Sequence, residues 1–205
     1  MRLLVWMAAL TLLSGCNAVT TRGALFTPAD AAGAPAPRPG LWRFAIDADC
    51  KVDESRPLVE WPECGAGTVL GPGAAGYYDH RTGKPVWTVQ PLTLVAGTPR
   101  IAQAQVSISG DAKMESDPYI YAGVKPTSFD DQGRITAFAF WLVQCGPPTA
   151  DGDHATIHPA PGMDFKPGDP VCTTASAAAL REVAKASEAW APKPLTARWL
   201  RDGPG

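Results

Sequence analysis

Apolar and polar positions alternate with a period of two over much of this chain, and that period predicts strands. Trp42, Phe44 and Ile46 alternate with Arg43, Ala45 and Asp47, the pattern of a strand with one buried face. Thr68-Val69-Leu70 predicts a short strand. Val86 to Val95 is β-branched and apolar, and Pro91 within it removes a ladder donor, which predicts an edge or a bulge. Gly97-Thr98-Pro99-Arg100 then reads as a turn. In the return strand Ala102, Ala104, Val106 and Ile108 share one face, and Gln103, Gln105, Ser107 and Ser109 share the other. A second hairpin enters through Tyr119-Ile120-Tyr121 and turns at Asp130-Asp131-Gln132-Gly133. It leaves along Ile135 to Val143, which is apolar on both faces and so predicts a central strand covered on both sides.

The period lengthens once. From a cap at Thr173 or Thr174 to about Trp190, Leu180, Val183 and Trp190 fall on one side, and Arg181, Glu182, Lys185 and Glu188 fall mostly outside it. That is a helix, stopped by Pro192 and Pro194. Leu195 to Leu200 predicts a last strand with Trp199 packing inward. Residues 146–171 hold ten prolines or glycines and little period, which predicts a long ordered loop. The fold class expected is α+β, mostly β: an antiparallel curled sheet or partly closed barrel with one C-terminal helix packed on it.

The N-terminus carries a different pattern. Arg2 is followed by an apolar run from Leu3 to Leu13, then Ser14-Gly15 and Cys16: a charged start, a short apolar stretch and a small-residue exit, as in secretory signals. The run is too short to span the hydrocarbon core, which takes roughly 20 residues. Leu13-Ser14-Gly15-Cys16 resembles the lipobox of bacterial lipoproteins. The resemblance implies cleavage before Cys16 and lipidation of its thiol and new amine. Two or three acyl chains, at ~0.8 kcal/mol per buried methylene, anchor a protein far more firmly than one. Asn17 stands where an aspartate would favour inner-membrane retention, so the resemblance implies a bacterial envelope location at the outer membrane, facing the periplasm. The expected organisation is a signal peptide at 1–15, a lipidated Cys16 with a Pro/Ala-rich tether at 16–39, and one globular domain at 40–205.

Composition narrows the function classes. Arg2 is the one charged residue in 1–15, so its removal leaves 17 basic and 20 acidic side chains on 190 residues, a net charge of −3. No basic cluster marks a nucleic-acid footprint. Glycine and proline together make a fifth of the 205 residues, yet 45% of the chain is hydrophobic, which points to a folded domain rich in turns. An oxidising compartment makes disulfides of Cys50, Cys64, Cys145 and Cys172. Of the three pairings, Cys50–Cys64 and Cys145–Cys172 are favoured, because each is nearest in sequence and brackets a Pro- or Gly-bearing loop. A metal site would want close C-x-x-C pairs, and there are none.

Several motifs suggest chemistry and are outweighed by plainer readings. Gly71-Pro72-Gly73-Ala74-Ala75-Gly76 fits G-x-G-x-x-G, but a turn-forming run follows it instead of the helix that would hold a pyrophosphate. His154 and His158 are four apart in a segment that does not read as helix. If extended they sit ~13 Å apart, and only a folded loop could bring them to Asp151, Asp153 or Asp164. Asp79-His80-Arg81 could serve acid–base work, but no G-x-S-x-G, S-x-x-K or H-E-x-x-H accompanies it. No catalytic, cofactor-binding or metal residue is therefore assigned, and no cofactor is expected. Gly40-Leu41-Trp42 resembles the G-x-W that opens the first strand of the lipocalin family, whose architecture implies a carrier of a small apolar molecule. Of the seven tryptophans, Trp42, Trp87, Trp141, Trp190 and Trp199 fall on elements expected to pack. The leading expectation is a non-catalytic, membrane-anchored envelope lipoprotein with a binding or structural role, its partner an envelope protein or a small apolar ligand. The lipocalin-like carrier is the alternative, and an envelope hydrolase stands behind it.

Overall fold

A computed structural model describes residues 17–45, 50–62, 64, 67–71, 74–79, 84–106, 118–148, 158–166, 169, 171–191 and 193–202. Eleven strands and one helix appear among them: β1 (Ala18–Thr21), β2 (Gly40–Ala45), β3 (Gly67–Gly71), β4 (Ala74–Asp79), β5 (Lys84–Val95), β6 (Arg100–Val106), β7 (Tyr119–Phe129), β8 (Ile135–Leu142), β9 (Asp164–Phe165), β10 (Val171–Thr173), α1 (Ala177–Trp190) and β11 (Leu195–Arg201). They build the expected mostly-β, curled sheet with one C-terminal helix. Its order is β6-β5-β4-β3-β2-β11-β8-β7-β1-β10-β9, and it is mixed because β1 runs parallel to β10. The curl goes far enough for β6 to pair with β7 as well, from Arg100↔Val124 to Gln105↔Tyr119. The sheet therefore has an inner and an outer face.

Side-chain alternation assigns the faces. On β2, Trp42 and Phe44 turn inward and Leu41 outward; on β8, Phe138 and Phe140 turn inward and Trp141 outward. The inner cluster is Trp42, Leu70, Val124, Ile135, Phe138 and Ala197, with Phe44, Leu92, Leu94, Ala102, Phe140 and Trp199 packed against it. Pro91 sits at a register shift between Val89 and Leu92, as a residue without a ladder donor requires. One end of the curl is sealed: Trp42 Nε1 donates to the Arg38 carbonyl at 2.8 Å, and the Arg38 guanidinium lies 3.6 Å over the Trp199 ring. Gly40, at φ 131°, passes the Arg201 carbonyl so closely that any Cβ would overlap it.

Two layers cover the outer face. On one side the segment 50–62 lays Leu58 and Trp61 over Leu41. It is tied by Cys50–Cys64 (Cα separation 5.7 Å) and by Glu54, which sits between Arg43 and Arg198, register partners on neighbouring strands. On the other side α1 lies across β7 and β8. Ser176 caps it, its side chain accepting from Ala179 N, so it starts later than Thr173 or Thr174. Trp141 is pressed between Gly123, where an added Cβ would strike its ring, and the helix, whose Ala184 carbonyl accepts from Nε1 at 2.9 Å. Cys145–Cys172 closes the expected pairing (5.8 Å) and joins the end of β8 to β10.

Two expectations need correction, and one buried polar side chain was not foreseen. Residues 17–39 are not a free tether. β1 pairs with β10 and β7, Val19 is fully buried, and Phe26 packs into the cluster of Tyr121, Val143, Leu180 and Val183. The polar face of β6 carries a buried side chain. Gln103 is 1% exposed: its Oε1 accepts from the N–H groups of Leu25 and Phe26, and its Nε2 donates to the Phe26 carbonyl. That amide replaces a strand partner for the N-terminal segment and so allows a polar side chain into the core. Lastly, the long loop 146–171 contains β9 and the start of β10, which pair with each other and extend the sheet.

Candidate functional site

Exposure rises along the inner face in one direction. On β8 it climbs from Ile135 (0%) to Phe138 (8%), through half-buried Phe140 to Leu142 (36%). On β2 it climbs from Trp42, fully buried, to half-buried Phe44. Leu92, Leu94 and Ala102, on the strands opposite, are half-buried too. Trp42 and Phe138 (5.2 Å between ring centres), Phe138 and Phe44 (6.0 Å), and Phe44 and Phe140 (5.4 Å) make a chain of ring contacts from the sealed end outward. The two phenylalanine pairs meet edge to face, which orients the rings. None of Phe44, Leu92, Leu94, Phe138, Phe140 and Leu142 ionises. A ligand held among them would be recognised by shape and dispersion, as in the apolar part of small-molecule sites.

A second concavity lies outside, a cleft of about 1250 Å³ between Thr20–Leu25 and the β9–β10 region. Arg22, Lys166, Asp164 and Asp169 give it mixed charge, and no one ligand chemistry is favoured by that set.

The chemical motifs fare differently. Gly71 ends β3 and Ala74 starts β4, so the G-x-G-x-x-G run is a hairpin and presents no helix N-terminus to a phosphate. His80, Arg81, Asp151, Asp153 and His154 lie outside the described residues, as does Cys16. His158 is exposed, and Asp164 is exposed at the start of β9. Among the described residues no three His, Cys, Asp or Glu side chains gather as a metal site, and no helix is long and apolar enough to cross a membrane. Trp42, Trp61 and Trp141 are core, Trp190 and Trp199 pack partly, and the side chain of Trp87 is outside the described set.

One group has a shifted titration that bears on the architecture. Burial pushes the Tyr121 hydroxyl above the ordinary tyrosine range, opposed by its bond to Thr21 Oγ1 at 2.5 Å. Thr21 in turn donates to the Gly23 carbonyl at 2.6 Å, so this network holds β1 rather than a substrate.

No protein-family model, curated protein or solved structure matches this chain. The site stands on its own geometry.

The inner-face aromatics were visible in the sequence as strand residues, not as a site. A signal was present in the runs 42–46 and 135–143: aromatics recur at every second position on one face, more bulk than a thin two-sided core requires.

Proposed function

We propose that this protein is a non-catalytic envelope lipoprotein, anchored through lipid on Cys16, that binds a small apolar molecule on the inner face of its curled sheet. One observation carries the ligand half of this reading. Phe44, Phe140, Leu92 and Leu94 turn toward the inside of the curl yet remain partly exposed. Apolar side chains on a merely structural inner face would close on one another, since each square ångström left wet forgoes roughly 25 cal/mol. The anchor half rests on the lipobox-like Leu13-Ser14-Gly15-Cys16.

Native mass spectrometry tests the ligand. The mature chain carrying Cys16→Ser, exported to a periplasm, is weighed before and after solvent extraction. An apolar adduct that leaves on extraction, and is absent from Phe140→Ser, supports the reading. A bare chain, lighter than its sequence only by the hydrogens lost to two disulfides, overturns the ligand half and redirects the search to protein partners.

A further inference from the structure

We infer that lipid on Cys16 seats this domain flush against the bilayer, with one fixed face on the headgroups. The inference rests on the anchor proposed above and adds the surface and the orientation. An anchored domain usually hangs from a flexible spacer, and 17–39 has the composition of one. Here the rigid frame starts at the next residue. Asn17 is 8% exposed, its carbonyl accepts from Cys145 N at 2.6 Å, and its Nδ2 donates to the Gly146 carbonyl at 2.7 Å. Ala18 bridges Gln144 and pairs with Val171, and Val19 N donates to the Val143 carbonyl at 2.9 Å. Consecutive Cα atoms are ~3.8 Å apart, so that is the whole span between the lipidated residue and the sheet. The bilayer surface must therefore meet whatever surrounds Asn17.

That surroundings is specific. Pro147 and Pro148 follow Gly146, and His158 and Pro159 lie beside it, because the position of a Gly146 Cβ is taken by the His158 carbonyl. Asp169 precedes Val171, the partner of Ala18. All five are exposed, and three are prolines without a backbone donor to desolvate. The 130–134 turn follows the other end of β7, on the order of 20 Å or more along the strand from the residues that pair with β1, and the proposed seating places it off the headgroups. The cleft between Thr20–Leu25 and Asp164–Ala175 borders the seated face, since Pro159 and Asp169 belong to both.

The test uses the lipidated mature protein in vesicles of phosphatidylethanolamine and phosphatidylglycerol. A fluorophore is placed through Asp169→Cys or, separately, Asp131→Cys, and energy transfer to a headgroup-bound acceptor is read. A second pair, Pro159→Cys and Gln132→Cys, guards against a variant that fails to fold. Transfer from 169 and 159 is expected to exceed that from 131 and 132 about two-fold or more, given the ~20 Å between the positions. A flexible Gly/Ser insert between Cys16 and Asn17 should remove the difference. Equal transfer from both ends in the uninserted protein, with acyl groups on Cys16 seen by mass, overturns the seating and leaves the anchor standing. A Cys16 that carries no lipid overturns both.

Discussion

The two faces of the sheet are made of similar residues and solve different problems. The outer face under α1 is dry: Val19, Ile101, Tyr121, Val143 and Leu180 are fully buried, and the buried amide of Gln103 beside them is bonded through both of its ends. The inner face begins equally dry at Trp42 and Ile135, then opens, so that Phe44, Phe140 and Leu142 keep contact with solvent. Stability and the proposed binding are thus assigned to opposite sides of the pleat of the same strands. On β8, Trp141 faces the helix and Phe140 faces the inside, one residue apart.

The sharpest way to break this contrast is to cut both sides. Leu180→Ala removes a fully buried side chain from under the sheet and should cost about 2–5 kcal/mol, read as a lower urea midpoint at unchanged slope. Gln103→Leu should follow at about 2–3 kcal/mol, because it strands the amides of Leu25 and Phe26 and a carbonyl in the core. A tether at 17–39 would make that substitution neutral, so the size of the loss measures how firmly the N-terminal segment is docked. Phe140→Ala, half-buried, should cost about 1 kcal/mol, a few degrees of melting temperature, while abolishing the extractable adduct. If instead it unfolds the domain as Leu180→Ala does, the inner face is simply core.

The smallest effect is one of pH. The Asp30 carboxylate accepts from the backbone N–H and the hydroxyl of Thr27, both at 2.8 Å, and these bonds hold it below the usual carboxylate range. A carboxyl depressed on folding stabilises the native state above its unfolded value, and the gain is lost as pH falls through the folded one. Amide exchange in the Pro28–Ala31 turn should therefore quicken selectively below pH ~4, and Asp30→Asn should remove the pH dependence. Unchanged exchange across that range would show that the Thr27 bonds do not hold the turn.

Much of this fold was legible because its signals are local. The alternation at 42–46, the two-sided apolar run at 135–143 and the helix at 177–190 each repeat their pattern over enough residues to be read alone. The cysteine pairs were legible because neighbours in sequence bracket short loops. What escaped depends on distant partners. β1 is four residues whose ladder partners are near 120 and 171. β4, Ala-Ala-Gly-Tyr-Tyr-Asp, starts in a glycine-rich run and ends in a stretch that reads as a turn, and it becomes a strand between β3 and β5. Gln103 looks solvated until residues 25 and 26 arrive, 77 and 78 positions away in sequence. The inner-face site was half legible: its rings could be placed on strands, but exposure inside a curl is a property of closure and not of any one strand.

Under the proposed anchor, which has the chain exported N-terminus first, the docking of β1 also sets an order of events. Ala18 needs Val171, and Asn17 needs Gly146, 129 residues further on. The first residues to emerge are therefore among the last to find their places. Until the final third of the polypeptide has crossed, the edge that β1 fills stays vacant and the long closure it demands cannot be completed. On that proposal, the delay would leave residues 17–21 unpaired while a peptidase and acyltransferases reach the neighbouring cysteine, and the folded domain then buries Asn17 and Val19.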